Sequence, residues 1–166
     1  MNVLVIRELT FEAAHYLPGH PQCSHLHGHT YFVRKLTVVT EKFVDLLEIK
    51  SVIRQFDHSL LVPECDLAFW QRFSGGHCRI RVFGFDPAPT VEVISERLLR
   101  LLLAVDGVVD AGFELFEGPN QGCRVASSRR LRRCVFEHLH CGPLHSEREE
   151  RSRSDSRSCT ERQPSY

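Results

Sequence analysis

The sequence predicts an α+β fold running β-β-α-α-β-β, with two helices between strand pairs and packed on one face of an antiparallel sheet. Three observations carry this reading. Residues 3–15 and 27–40 have strand character, the second rich in Thr, Tyr, Phe and Val. Residues 46–56 and 91–105 carry apolar side chains at helical spacing. Residues 108–117 and 122–127 then return to strand character.

In the first strand Leu9, Phe11, Ala13 and His15 share one face by period-2 counting, and Pro18-Gly19 ends it. The second strand is antiparallel to it if the two are joined by that loop. In the first helix Leu46, Ile49, Ile53 and Phe56 form one stripe. Val91, Ile94, Leu98, Leu101 and Val105 form the stripe of the second. Thr90 is placed to cap its start, after Pro89, and Asp106-Gly107 is its natural exit. Residues 62–88 are long for a helix-to-helix connection. They hold Phe69, Trp70, Phe73, a Gly75-Gly76 turn and a possible strand from Arg79 to Phe85.

The 166 residues suit one domain with a tail, and 42% apolar residues supply a core. Twenty-one basic residues balance twenty-one acidic ones, which argues against a dedicated nucleic-acid binder. The longest apolar run, Leu98–Val105, is interrupted by Arg100 and is far below the roughly 20 residues a membrane span needs. No export signal is visible at the start, so a cytoplasmic location with mostly reduced cysteines is expected. We expect a catalytic domain over residues 1–141 and a disordered polar tail over 142–166, because the tail has almost nothing to bury. Arg129, Arg130, Arg132 and Arg133 form a local basic patch before it, on an expected short final helix.

Ten histidines and seven cysteines are many for this length. The densest cluster is Cys23-Ser24-His25-Leu26-His27-Gly28-His29. On a strand His27 and His29 point the same way, and Gly28 leaves room between them. If the first two strands pair, His15 completes a facing trio. Three imidazoles with an open position suit a catalytic zinc ion, whereas scattered surface histidines are the plain alternative. By spacing alone Cys23 is a buried thiol, a fourth ligand, or a thiolate activated by a nearby cation. Asp57-His58 can form a proton-transfer pair or simply a polar helix end. Glu117, at a strand end, can accept two hydrogen bonds from a planar N–H pair or face solvent.

Six ordered blocks over about residues 5–125 resemble one family. They are Phe11-Glu12-Ala13-Ala14-His15, Cys23 with His27-Gly28-His29, Val44-Asp45-Leu46 with Ile49-Lys50, Phe56-Asp57-His58-Ser59-Leu60-Leu61, Pro89-Thr90-Val91-Glu92, and Glu117 with Gly122-Cys123. The chain resembles the 6-pyruvoyl-tetrahydropterin and 6-carboxy-tetrahydropterin synthases. That resemblance implies the tunnelling fold, a Zn2+ cofactor held by His15, His27 and His29, Cys23 as catalytic base, and Asp57 and His58 as its partners. It implies that Glu117 anchors a pterin ring. It also implies a homo-oligomer, trimer or hexamer, in which Asp57 and His58 serve a site with Cys23 of a neighbouring chain.

The implied activity is a zinc-dependent carbon–carbon or carbon–oxygen lyase acting on 7,8-dihydroneopterin triphosphate, with neither nucleic acid nor membrane as partner. The short Cys23-to-His27 spacing resembles the bacterial-type loop of the 6-carboxy enzymes, which release acetaldehyde and triphosphate on the way to 7-deazaguanines such as queuosine or archaeosine. The alternatives are a 6-pyruvoyl synthase and a non-catalytic zinc-binding assembly protein of the same fold. A third branch relies on a glutamate in this loop, but no acid lies between Pro18 and Thr30. The 62–88 segment is longer than in compact members, and its Arg72, Arg79 and Arg81 are candidates to meet a triphosphate.

Overall fold

The computed structural model describes residues 1–73 and 79–128. The Gly75-Gly76 turn, the arginine patch at 129–133 and the tail at 142–166 lie outside the described residues.

The first two strands, β1 (Asn2–His15) and β2 (His27–Thr40), pair antiparallel along nearly their whole length. The register sets Phe11 opposite Tyr31, Ala13 opposite His29 and His15 opposite His27. All six therefore face the same side, as period-2 counting requires. A bulge at Lys35 (φ 52°) interrupts β2. Tyr31 and Val33 are buried before it, and Leu36, Val38 and Thr40 after it.

Helix α1 (Leu46–Arg54) starts where the Asp45 carboxylate accepts the Leu47 N–H at 2.9 Å. Helix α3 (Val91–Leu103) is capped by Thr90, as expected. Ile49 and Ile53 of α1 and Ile94, Leu98 and Leu102 of α3 are fully buried against the sheet. The α3 stripe is rotated from expectation, for Leu102 is buried and Leu101 only partly so. Leu46 is part-exposed rather than core. Strands β5 (Val108–Glu117) and β6 (Gln121–Ala126) form the closing antiparallel pair, and β5 runs antiparallel to β2.

The 62–88 segment accounts for the main departure from a purely antiparallel sheet with two helices. It completes β3 (Ser59–Pro63), which starts just before it, and contributes a 3₁₀ turn (Glu64–Asp66), a short helix α2 (Leu67–Gln71) and β4 (Arg81–Phe85). Strand β3 pairs parallel to β1, and β4 pairs parallel to β3. Parallel neighbours need a crossover of a dozen or so residues, which this segment supplies. The result is a mixed six-stranded sheet in the order β4-β3-β1-β2-β5-β6, still of the α+β class. Strand β3 pairs with β1 only at Ala13–His15. Among the described residues the β1 edge over 2–11 thus has no strand partner, and no helix is long and apolar enough to cross a membrane.

Candidate metal centre

The β1–β2 register brings His15, His27 and His29 together at one end of the sheet. Their ligand atoms lie within 4.8 Å of one another. Ring centroids are 4.6 Å apart for His15–His27, 5.1 Å for His15–His29 and 4.8 Å for His27–His29. His15 is buried, and the other two are partly exposed.

Two rings are fixed from behind. His15 Nδ1 lies 3.0 Å from the Pro89 carbonyl, and His27 Nδ1 lies 2.6 Å from the His25 carbonyl. A carbonyl only accepts, so each Nδ1 carries the proton and donates. In the neutral ring that leaves the Nε2 lone pair at the centre of the cluster. Metal-binding imidazoles are oriented in this way by their outer nitrogen. The two Nε2 atoms stand 3.2 Å apart.

Glu117, at the end of β5 opposite Tyr31, reaches the same centre. Its Oε1 is 2.8 Å from His15 Nε2 and 3.3 Å from His29 Nε2, and it accepts the Tyr31 hydroxyl at 3.3 Å. Burial alone would raise the Glu117 carboxyl. The His15 bond and charge, the His29 charge and the Tyr31 hydroxyl outweigh it and hold the group below its ordinary range. Burial pushes His29 down against the opposing pull of Glu117, and the His15 and His27 charges add to the fall. Burial first, then Glu117 and Cys23, push the Tyr31 phenol up.

Cys23 sits half-buried in the loop between β1 and β2, as a free thiol. Leu17 N–H donates to the Cys23 carbonyl at 2.7 Å, and Cys23 N–H donates to His20 Nδ1 at 3.0 Å.

Asp57 and His58 lie elsewhere on the chain. Asp57 Oδ1 accepts the Glu12 N–H at 2.8 Å, and Oδ2 is 3.8 Å from His58 Nε2. Arg81 donates to the Asp57 carbonyl. The His58 N–H donates to the Glu12 carbonyl at 2.7 Å, its φ is 53°, and its side chain is 79% exposed. It borders an open groove of about 390 Å³ that His29 of the cluster also lines, together with Glu12, Ala13, Ala14, Gly28 and Thr30. Strand alternation turns Glu12 and Ala14 away from the face that carries Ala13 and His15. Among the described residues no hydrogen bond or ion pair joins Asp57 or His58 to Cys23 or to the histidine cluster.

The sequence reading did not single out Tyr31, although it lies two residues after His29 on the same strand face. It also missed the Pro89 and His25 carbonyls, which leave no trace in side-chain pattern.

The model of the 6-pyruvoyl tetrahydropterin synthase family matches residues 4–127, and the chain belongs to that family. An Archaeoglobus fulgidus protein provisionally named as a 6-carboxy-5,6,7,8-tetrahydropterin synthase is 35% identical over 66 residues, which is 35% of this chain and 57% of that protein. The match thus spans little more than half of that relative's length. Among solved structures, the 6-pyruvoyl tetrahydropterin synthase of Plasmodium falciparum aligns with a TM-score of 0.52 at 16% identity, covering 76% of this chain and 97% of that one. The Plasmodium vivax enzyme aligns with a TM-score of 0.50 at 15% identity, covering 76% and 98%. At such identity these two likenesses speak for the fold.

Proposed function

We propose that this chain is a zinc-dependent 6-carboxy-5,6,7,8-tetrahydropterin synthase that converts 7,8-dihydroneopterin triphosphate with release of acetaldehyde and triphosphate. The observation that carries the reading is the trio His15, His27 and His29, whose Nε2 atoms converge while backbone carbonyls hold two of the rings from behind. Three neutral nitrogen donors with an open side fit a catalytic zinc ion. Bound there, the ion supplies Lewis acidity that polarises the oxygens of the substrate side chain.

The protein groups divide the remaining work. The Cys23 thiolate removes a proton from the side chain, and His58 returns one with Asp57 as its carboxylate partner. Glu117 accepts hydrogen bonds from the ring N–H pair. The outward-facing Asp57–His58 corner and the open β1 edge support a homo-oligomer in which this corner completes the site of a neighbouring copy. The short Cys23-to-His27 loop and the archaeal relative favour the 6-carboxy product.

The test is a product assay on the zinc-loaded protein with 7,8-dihydroneopterin triphosphate. Acetaldehyde and 6-carboxy-tetrahydropterin, identified by mass, are the expected products. A 6-pyruvoyl product would move the chain to the other branch, and no turnover would leave a metal-binding assembly protein.

A further inference from the structure

One peptide unit, between Asp57 and His58, is held from both ends. Arg81 Nη2 donates to its carbonyl, and its N–H donates to the Glu12 carbonyl at 2.7 Å. Beside it the Asp57 carboxylate accepts the Glu12 N–H at 2.8 Å. Glu12 thus grips the unit through the main chain of β1, which any residue there would supply. Arg81, the first residue of β4, grips it through a side chain, so that bond depends on the residue chosen.

The conformation held in this way is an unfavourable one. His58 sits at φ 53°, the left-handed region in which a Cβ crowds the following carbonyl. The chain turns there from α1 into β3. Packing does not keep the residue in place, because its side chain is 79% exposed. The bonds to its peptide must therefore oppose the strain. A flip of that peptide would change φ of His58, and with it the direction in which the ring leaves the chain.

We propose that Arg81 is a positioning residue, which fixes the 57–58 peptide so that the His58 ring stands at the groove bordered by Glu12 and Thr30. The sequence offers Arg81 as a candidate to meet a triphosphate, and the structure gives its guanidinium this other occupation. A guanidinium suits the task, since its bond to a carbonyl is charge-assisted and its donors form a rigid fork. Arg81 acts through His58 and touches no reacting atom. Its effect on turnover rests on the function proposed above, whereas the clamp itself does not.

The experiment compares the full-length wild type with two variants. Arg81→Met keeps an aliphatic stem and removes every donor, and Arg81→Lys keeps a charged donor. Amide hydrogen exchange at His58, followed by NMR, is read without turnover. Arg81→Met is expected to speed it about tenfold while the amides of β5 keep their wild-type rates, and Arg81→Lys to restore part of the protection. An unchanged His58 rate would overturn the clamp. So would an equal acceleration in β5, which reports a loss of stability at large. In the product assay at matched zinc content, Arg81→Met is expected to lower kcat about tenfold with KM within about twofold of wild type, and Arg81→Lys to recover part of the rate. A raised KM with kcat intact would overturn the positioning role and make Arg81 a substrate contact. The exchange rates decide the clamp even for a wild type that forms no 6-carboxy product, an outcome that would count against the proposed reaction instead.

Discussion

His15 has both ring nitrogens engaged although its side chain is almost wholly buried, one toward the Pro89 carbonyl and one toward the cluster. Its ring can hardly turn without stranding a polar atom, so the ligand geometry is set before any metal binds. We expect His27→Ala to lose the metal and Cys23→Ala to keep it while turnover falls at least about a hundredfold. Metal analysis beside the product assay checks both, and a Cys23→Ala protein at wild-type rate would sink the proposed base. The neighbouring residue is held just as firmly. Tyr16 donates to Asp66 at 2.5 Å and accepts from Trp70 Nε1 at 3.1 Å. Burial and Asp66 push its phenol from 10.0 up to about 12. The neutral form is the one the fold favours, so its contribution to stability is whole below the ordinary value and disappears as pH rises through about 12. With three tyrosines in the chain, folded protein near about pH 11 should show less tyrosinate absorbance than the same protein unfolded. Equal absorbance would remove this argument.

At the scale of elements, the β5–β6 hairpin carries Glu117 to the centre, with one glycine in its turn and another where its strands pair closely. Gly118 takes φ +73°, and a Cβ on Gly122 would lie 2.3 Å from the Leu115 carbonyl oxygen. Gly122→Ala is therefore expected to lower stability by about 1–3 kcal/mol, because backbone must move. Urea unfolding checks the effect, and an unchanged midpoint would contradict the tight packing described. Strands 108–117 and 27–40 were legible in the sequence to the residue, because both are dense in β-branched and aromatic residues. So was the trio, since a His-x-His pair on a strand and an aligned His15 need only period 2. Of the parallel pair, β4 was legible as the strand from Arg79 to Phe85, but β3 and the parallel pairing were not. The side chains are buried almost throughout β3, so no alternation marks it, and its partner lies across a crossover. Glu117 was legible as a polar strand end, but its approach to the histidines depends on the pairing of β5 with β2, which local pattern does not fix.

At the scale of the molecule, one chain presents its proposed acid–base groups in two places that it does not itself join. Cys23 lies in the loop between β1 and β2, and His58 faces outward just before β3. If neighbouring copies complete each site, two inactive variants should rescue one another. Mixing Cys23→Ala with His58→Ala and allowing subunits to exchange is expected to restore a fraction of wild-type turnover, because some interfaces then hold both intact groups. Inactivity at every mixing ratio would argue for a site made within one chain. The 62–88 segment matters at this scale too. It sets Trp70 and Asp66 on Tyr16, next to His15, and Arg81 on the Asp57 carbonyl, so one insertion braces both places.

The bulge at Lys35 acts as a phase correction written into β2. Side chains on a strand alternate strictly, so a segment that buries odd positions up to Val33 and even positions from Leu36 cannot be continuous. One extra residue resets the count. Upstream of it the odd positions present His27, His29 and Tyr31 to the cluster, and downstream the even positions fill the core under the helices. The two halves of this strand therefore face the interior on opposite parity, the ligands with Tyr31 and Val33 on odd positions and Leu36, Val38 and Thr40 on even ones. A deletion of one residue between them would leave the chain able to keep its ligands or its core in register, but not both.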